Sequence, residues 1–471
     1  MQPTAGAVKL FHEGTLALAQ VERNGMRIDT DYLAKTSAKI RKEIYDLKEE
    51  LRGDKTAAEL RKKYGGKANP MSPEQIGWLA FDHLGYKPLG TTKTGKYKAD
   101  KEAFEFVDHP FVRKYQHIKK LEKIHGTYLS GLQREVVDGY VHPVFNLNLS
   151  LFFRSSCDSP NLQNQPARDQ LAASYVRKSF IPRKGRRIIE IDFKGAEVGT
   201  SACVTRCPVL IAYVTDPTSD MHRDTASQIF SLPIEWMIQN KDWAKKTIRD
   251  WTKNRFVFPE FYGSVYFQCA PDLWKGVMAS ESRARFPGGD KDETIREYLA
   301  RKGVTQLGDC SETQSPAKGT FEHQVQRVEQ DFWGRRFRAY TAWKQRFWNE
   351  YRENGEFISV TGFRVAGEMR RNQVLNAPIQ GPAFHCLLWA LIRVQKWLNK
   401  RRMKTKVICQ IHDSILADVV PEEEAEFLAK LKEIITVDLP RFWDWIIVPL
   451  SVEAEASEID GNWYEKKGIE I

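Results

Sequence analysis

The stretch VICQIHDSILADVV, residues 407–420, leaves the chain few ways to fold. Val407, Ile408 and Ile411 precede the centre, and Ile415, Leu416, Val419 and Val420 follow it, so two half-buried strands meet in a hairpin. A tight hairpin turn is usually Asn-Gly or Asp-Gly, which tolerate positive φ. Here His412, Asp413 and Ser414 occupy the turn. Either Asp413 is a turn-forming residue with a polar neighbour, or the imidazole and the carboxylate are held at the tip to do chemistry. The second reading needs a partner for Asp413 elsewhere.

Bulk properties narrow the classes. With 42% hydrophobic residues, the 471-residue chain is globular. No apolar run is long enough for a membrane span, and the first residues show no signal-peptide pattern, so no membrane partner is expected. Seven cysteines lack a CxxC pair, and Cys203 and Cys207 read as core residues of a helix. These features describe a reduced, cytoplasmic protein. A formal charge of +11 and a pI near 9.1 favour a polyanionic partner. The acid-free clusters PRKGRR (182–187) and NKRRMKTK (399–406) point the same way.

Residues 8–52 read as helices, with Asp29 or Thr30 capping the second, and Ser72-Pro73 starts another. Residues 91–100 read as an exposed basic loop, and a long helical pattern runs from about Phe104 to Leu132. RRIIEIDF is a short strand followed by a helix, GAEVGTSACVT. Residues 280–320 are polar and Gly-containing, which predicts an irregular insertion.

In the strand IIEID, Ile189 and Ile191 share one face and Asp192 falls on the other at the C-terminal end. Facing the hairpin tip, Asp192 and Asp413 could hold two divalent ions, which in phosphoryl transfer sit about 3.5–4 Å apart. Magnesium suits such a site because it takes oxygen ligands. Spacing alone does not bring the two carboxylates together.

RSSCDSPNLQNQP (154–166), IDFKGAEV (191–198), DMHRDTA (220–226), RDWTKNRFVFPEFYGS (249–264), NAPIQG (376–381) and QIHDS (410–414) resemble, in this order, blocks of family A DNA polymerases. The resemblance spans roughly residues 150–460. It implies an α+β fold, a right hand with an antiparallel-sheet palm and mainly helical fingers and thumb. The expected division is N-terminal segment and thumb over 1–135, palm over 136–205, fingers over 206–364 and the second part of the palm over 365–471. The implied activity is template-directed DNA synthesis on a primed DNA template, adding deoxynucleoside triphosphates to a primer 3′ end. Asp192 and Asp413 become the catalytic metal ligands for two Mg2+ ions, with Mn2+ as a substitute, and His412 meets the primer-terminal backbone.

Arg249 and Lys253 share a helix face and can clamp a triphosphate, where the competing reading is an ordinary basic face. By resemblance Phe258, Tyr262 and His222 join the nucleotide site, and Glu197 closes the space near the sugar 2′ position against ribonucleotides. Arg154, Asn161, Gln163, Asn376 and Gln380 supply donors suited to the minor groove. For Asn161 and Asn376, local capping of the backbone competes with that role.

The chain also departs from the pattern. The span from Lys253 to Tyr262 is one residue longer than usual and contains Pro259, so the helix should kink or restart there. Either Phe256 or Phe258 then faces the nucleotide, and counting back from Tyr262 favours Phe258. Phe153 stands where the family has glycine, and Ser414 where a glutamate is common. Glu453, in the late segment PLSVEAE, is a further acid with no assigned place. The family's proofreading exonuclease lies upstream where present, and its early Asp-x-Glu cluster is not found here. Either proofreading is supplied by another chain, so that a separate exonuclease or a processivity protein is a partner, or it has been lost, or this sequence is a piece of a longer one. The phage-like spelling KNRFVFPEFYG would place a viral enzyme in its host's cytoplasm. Single-subunit RNA polymerase, a magnesium-dependent nuclease and a DNA-binding accessory protein are the alternatives. Glu197 argues against the first, the triphosphate-facing cations against the second, and retention of Asp192, Asp413, Arg249 and Lys253 together against the third.

Overall fold

A computed structural model describes residues 2–471 apart from 89, 93, 101, 102, 105 and 106. Its centre is a five-stranded antiparallel sheet: β1 (Arg187–Phe193), β2 (Lys406–Ile411), β3 (Ser414–Val419), β4 (Val452–Ala456) and β5 (Lys467–Ile469). The spatial order is β2-β3-β1-β4-β5, which puts β1 in the middle. Ile191 stands opposite Ile415 on one side and Ala454 on the other, while Ile189 stands opposite Ala417 and Ala456. Side chains alternate along a strand, so these apolar rows share one face and enter the main core. The other face carries Glu190, Asp192, Ser414 and Glu453.

The hairpin of β2 and β3 is more deeply buried than alternation predicts, with every residue of β3 buried. Even Asp418 is enclosed, paired with the Arg183 guanidinium at 2.6 Å. Against the apolar face lies the 31-residue helix Arg371–Arg401, which holds Pro378 and Pro382. The N-terminal helix Ala5–Asn24 packs beside it, close enough that a Cβ at Gly14 would meet Leu388 at 2.8 Å.

Local signals placed several boundaries. Asp29 caps Thr30–Gly53 by accepting from the Tyr32 N–H at 2.9 Å, and Ser72 caps Pro73–Trp78. The first two helices are separated by a strand the periodicity missed, Met26–Ile28, which pairs with Tyr140–Val141 and Phe180–Ile181. The long pattern expected from Phe104 begins as a helix only at Pro110, and residues 105 and 106, with residue 93 of the basic loop, lie outside the described residues. Cys207 is buried but caps the following helix, Pro208–Thr215, instead of continuing that of Cys203.

A second apolar core gathers residues of 202–348, and a third gathers residues of 51–118. The second includes much of the expected insertion. Residues 280–320 are not wholly irregular: a short hairpin pairs Arg283–Ala284 with Glu293–Thr294, and a helix follows over Ile295–Arg301 with a complete Thr294–Glu297 capping box. Phe286, Tyr298 and Leu299 are buried there, few but enough to anchor it. Among the described residues, no helix is long and apolar enough to cross a membrane.

The sheet is closed from its polar side by Trp463, which is fully buried and stacks edge-on against Phe180 at 5.3 Å. Its indole N–H donates to Glu190 at 2.9 Å. Trp463→Ala leaves a large cavity and removes a donor from a buried carboxylate, so it should cost about 3–5 kcal/mol. A urea unfolding curve followed by circular dichroism checks this.

Candidate active site

The turn between β2 and β3 is a two-residue loop, with Ile411 opposite Ser414. His412 takes φ 52°, the conformation that hairpin turns usually give to Gly or Asn. The Asp413 carbonyl accepts the Phe193 N–H at 3.1 Å, which ties the tip to the end of β1. The Asp192 and Asp413 carboxylates are thereby brought together, and Glu453 of β4 stands opposite Asp192. Burial, then Asp413, Glu190 and Glu453, push the Asp192 carboxyl well above the usual carboxylate range.

The treatment of the other acids on this face is different. Glu190 is ion-paired with Lys466 and bonded to Trp463, and its carboxyl is held below the ordinary value despite burial. Asp192 has acids for neighbours, and its Oδ1 is buried without a hydrogen-bond partner among the described residues. An uncompensated oxygen facing a second carboxylate fits a divalent cation. Among the described residues no group of three or more His, Cys, Asp or Glu side chains could hold a metal alone. Ions here would take their remaining ligands from water and substrate phosphate, as magnesium does at such sites.

After β1 the chain turns at Gly195 (φ 65°) and starts the helix Ala196–Thr205, whose first turn carries Glu197. The Tyr262 hydroxyl donates to Glu197, and Arg154 lies 3.5 Å from the same carboxylate. Arg154 also donates to Gln380 at 3.4 Å. Desolvation and the Glu197 carboxylate push the Tyr262 phenol well up. His412 faces Arg154 and Asp413, and desolvation with the Arg154 cation holds its imidazole below its ordinary pKa.

A second group lies on the helical run from Lys241 to Phe261. The extra residue and Pro259 are absorbed together by a π-helical segment, Lys253–Val257, after which an α-turn restarts over Phe258–Phe261. A π-turn adds one residue per turn, and the restart puts proline in a first turn, where its missing N–H costs little. Phe256 is thereby turned into the core against Phe332. Phe258 faces outward, edge-on to His222 at 5.6 Å, with the Lys253 Nζ 5.4 Å from its ring centroid. Of the two phenylalanines, Phe258 is the one left outside the core.

Arg249 is already engaged, its Nε donating to Asp220 at 2.7 Å. Burial and then the Arg249 cation push the His222 imidazole down to about 4, and its Nδ1 is buried without a partner among the described residues. Arg249, Lys253, Phe258 and His222 thus form one cluster, joined to the first by the helix that ends at Tyr262.

Gln163 is buried and donates to Ser155 at 2.9 Å and Gln410 at 3.0 Å, while Gln410 donates to the His412 carbonyl at 2.8 Å. It braces the hairpin from behind. Asn161 caps a short helical turn by accepting the Asn164 N–H at 3.1 Å, the competing role foreseen for it. Asn376 lines a cavity of about 360 Å³ with Tyr262, Lys344 and Arg371. Below that cavity lies a cluster the sequence did not disclose. Glu260 is buried against Glu329, accepts from the Trp333 indole at 2.8 Å, and both carboxyls are pushed up by burial. The Lys344 Nζ sits 3.3 Å from the Trp333 ring centroid. Only the polar residue within FVFPEFYG hinted at it.

The profile of DNA polymerase family A matches residues 30–286 and 334–465. The chain belongs to this family. Family A polymerases are metal-dependent. The chain is 27% identical over 464 residues to DNA polymerase I of Chloroflexus aurantiacus, covering 95% of this chain and 42% of that protein. It is 26% identical over 467 residues to the thermostable DNA polymerase I of Thermus aquaticus, covering 96% and 47%. The chain therefore spans less than half the length of these curated relatives. The POL domain of Pol1 from M. smegmatis, solved in complex with DNA primer-template and dNTP, superposes with a TM-score of 0.70. That likeness, at 23% identity over 96% of this chain and 70% of the other, confirms the expected α+β polymerase fold.

The two cations beside His222 favour its neutral form. Burial is the largest cause and Lys253 the smallest, so Lys253→Ala should raise the imidazole pKa slightly above about 4, read from ring carbon shifts in an NMR titration. The sign also bears on stability. Because the folded pKa is depressed, His222 favours the fold above about pH 6.5, and that contribution is lost as pH falls toward 4.

Proposed function

We propose that this chain extends a DNA primer on a DNA template in the cytoplasm, adding deoxynucleotides and releasing pyrophosphate. The observation that carries this reading is the pairing of Asp192 with Asp413 at the end of β1, beside the Glu197–Tyr262 contact. Asp192 and Asp413 would hold the divalent cations, magnesium or in substitution manganese, which when bound activate the primer 3′-oxygen and neutralise phosphate charge.

The remaining residues bind and orient. Lys253 and Arg249 meet the triphosphate oxygens, and their charge stabilises the pyrophosphate as the bond from the α-phosphorus to its bridging oxygen breaks. For this Arg249 shares its guanidinium between Asp220 and the phosphates. His222, neutral at physiological pH, offers a hydrogen bond without a charge. Phe258 presents a ring face for the incoming base. Glu197, held by Tyr262 and Arg154, fills the space a ribose 2′-hydroxyl would need. Arg154, Gln380 and Asn376 line the minor-groove side of the nascent pair, and His412 meets the primer-terminal backbone. In the proposed division the five-stranded sheet is the palm, the second core the fingers and the third core the tip of the thumb.

Primer extension with magnesium tests this. The unaltered protein should extend with deoxynucleotides, and Asp413→Asn should abolish extension while retaining salt-sensitive binding to primed DNA. No extension by the unaltered protein would sink the assignment. Glu197→Ala should raise ribonucleotide incorporation by roughly ten- to a hundredfold relative to deoxynucleotides, since a pocket's rejection of one added hydroxyl is of that order.

A further inference from the structure

The loop that delivers Arg154 turns at a residue whose backbone conformation belongs to glycine. Phe153 has φ 57°, in the left-handed region that bulky side chains rarely adopt. Such a conformation persists only where its surroundings over-determine it. Two sets of contacts do so here.

The first is aromatic. The Phe153 ring lies 5.0 Å from Phe363 and meets Phe11 edge-on at 5.8 Å. Phe11 in turn lies 4.5 Å from Phe363, and Phe363 stacks on the His385 imidazole at 4.1 Å.

The second is a directional chain of hydrogen bonds. His385 Nε2 lies 3.1 Å from the Phe153 carbonyl, which can only accept, so Nε2 carries the proton. His385 is buried, and burial pushes its pKa down to about 3, so the ring is neutral and Nδ1 must accept. The Thr361 hydroxyl, 2.6 Å away, is the donor. Ser359 lies 3.1 Å behind Thr361 and accepts the Phe363 N–H at 3.0 Å. Every donor in this buried chain is used in one direction.

The same helix face seats the preceding residue. A Cβ at Gly381, one turn before His385, would come within 2.7 Å of the Phe152 carbonyl, so only glycine lets the loop lie against the helix. Arg154 then emerges beside Gln380 of that helix and Glu197 opposite.

We infer that Phe153 and His385 are positioning residues for Arg154: the ring cage and the Nε2–H bond to the Phe153 carbonyl hold the left-handed turn that aims the guanidinium at Glu197 and Gln380. The inference rests on the polymerase reading for its activity readout, but not for its binding readout.

A double-mutant cycle tests it, using the full chain, primed DNA binding by fluorescence anisotropy, and the split between kcat and deoxynucleotide KM. His385→Leu should weaken primed-DNA binding and raise KM about tenfold, the scale expected for a misaimed binding group. His385→Gln, whose amide can reach the same carbonyl, should recover most of that loss. In an Arg154→Ala background, His385→Leu should change neither quantity by as much as twofold. Equal losses in both backgrounds would overturn the inference, as would unaltered binding and KM in a folded His385→Leu protein. If His385→Leu does not fold, Phe153→Gly decides, because glycine keeps the turn without the cage. A loss of similar size supports the cage, and wild-type binding and KM overturn it. Failure of the unaltered protein to extend primers would defeat the polymerase reading, while the binding cycle would still judge the role of His385.

Discussion

The site depends on the register of three antiparallel strands. Asp192 of β1 stands opposite Ser414 on one side and Glu453 on the other. Because successive side chains point to opposite faces, a slip of one residue would send Asp192 into the core and bring Ile191 out. The apolar rows through Ile189 and Ile191 forbid that slip, since both are buried against the helix Arg371–Arg401. The position of the carboxylates is therefore decided by hydrophobic burial on the opposite side of the sheet, which is non-directional but very sensitive to register. The Ser414 hydroxyl also matters, because it donates to Glu190.

The same face shows where the protein compensates charge and where it does not. Lys466 is shared between Glu190 and Glu455, and Arg183 takes Asp418. A buried carboxylate left alone costs several kcal/mol, about what a neutral form or a partner must offset. The neighbours of Asp192 are acids, so its charge is stabilised only by something arriving from outside. A sheet built for stability alone would have placed a lysine there, as it does beside Glu190. The omission at one position, among compensated ones, carries more weight than the acidity of the cluster as a whole.

Local features were legible in the sequence because local physics sets them. The caps at Asp29 and Ser72, the hairpin at 407–420 and the strand ending in Asp192 all depend on neighbours within a few residues. The meeting of Asp192 with Asp413 came only through the family resemblance, and that with Glu453 not at all, because strands more than two hundred residues apart are paired by tertiary packing. Gln163 shows the limit of reasoning from donor inventory. Its amide suits a minor groove, yet Ser155 and Gln410 claim it, and Gln410 was invisible as a partner until the hairpin was seated. The irregular length between Lys253 and Tyr262 was read correctly as a disturbance of the helix but not as a π-turn. Periodicity reports a mean pitch and averages over a single wider turn.

That π-turn joins the two halves of the site. A regular α-helix would rotate each residue by a fixed angle, so an added residue would swing everything downstream by about 100°. The wider turn takes up the addition locally, which keeps Lys253 and Phe258 on one side while leaving Tyr262 in reach of Glu197. Pro259 reinforces the arrangement by lacking the donor that a continuous helix would need at that point. The residues proposed to meet a triphosphate and the Glu197–Tyr262 pair are thus held in phase by this segment, the second π segment of the run after Lys245–Arg249. π-turns recur at functional sites for this reason: they re-aim side chains without breaking the helix that carries them.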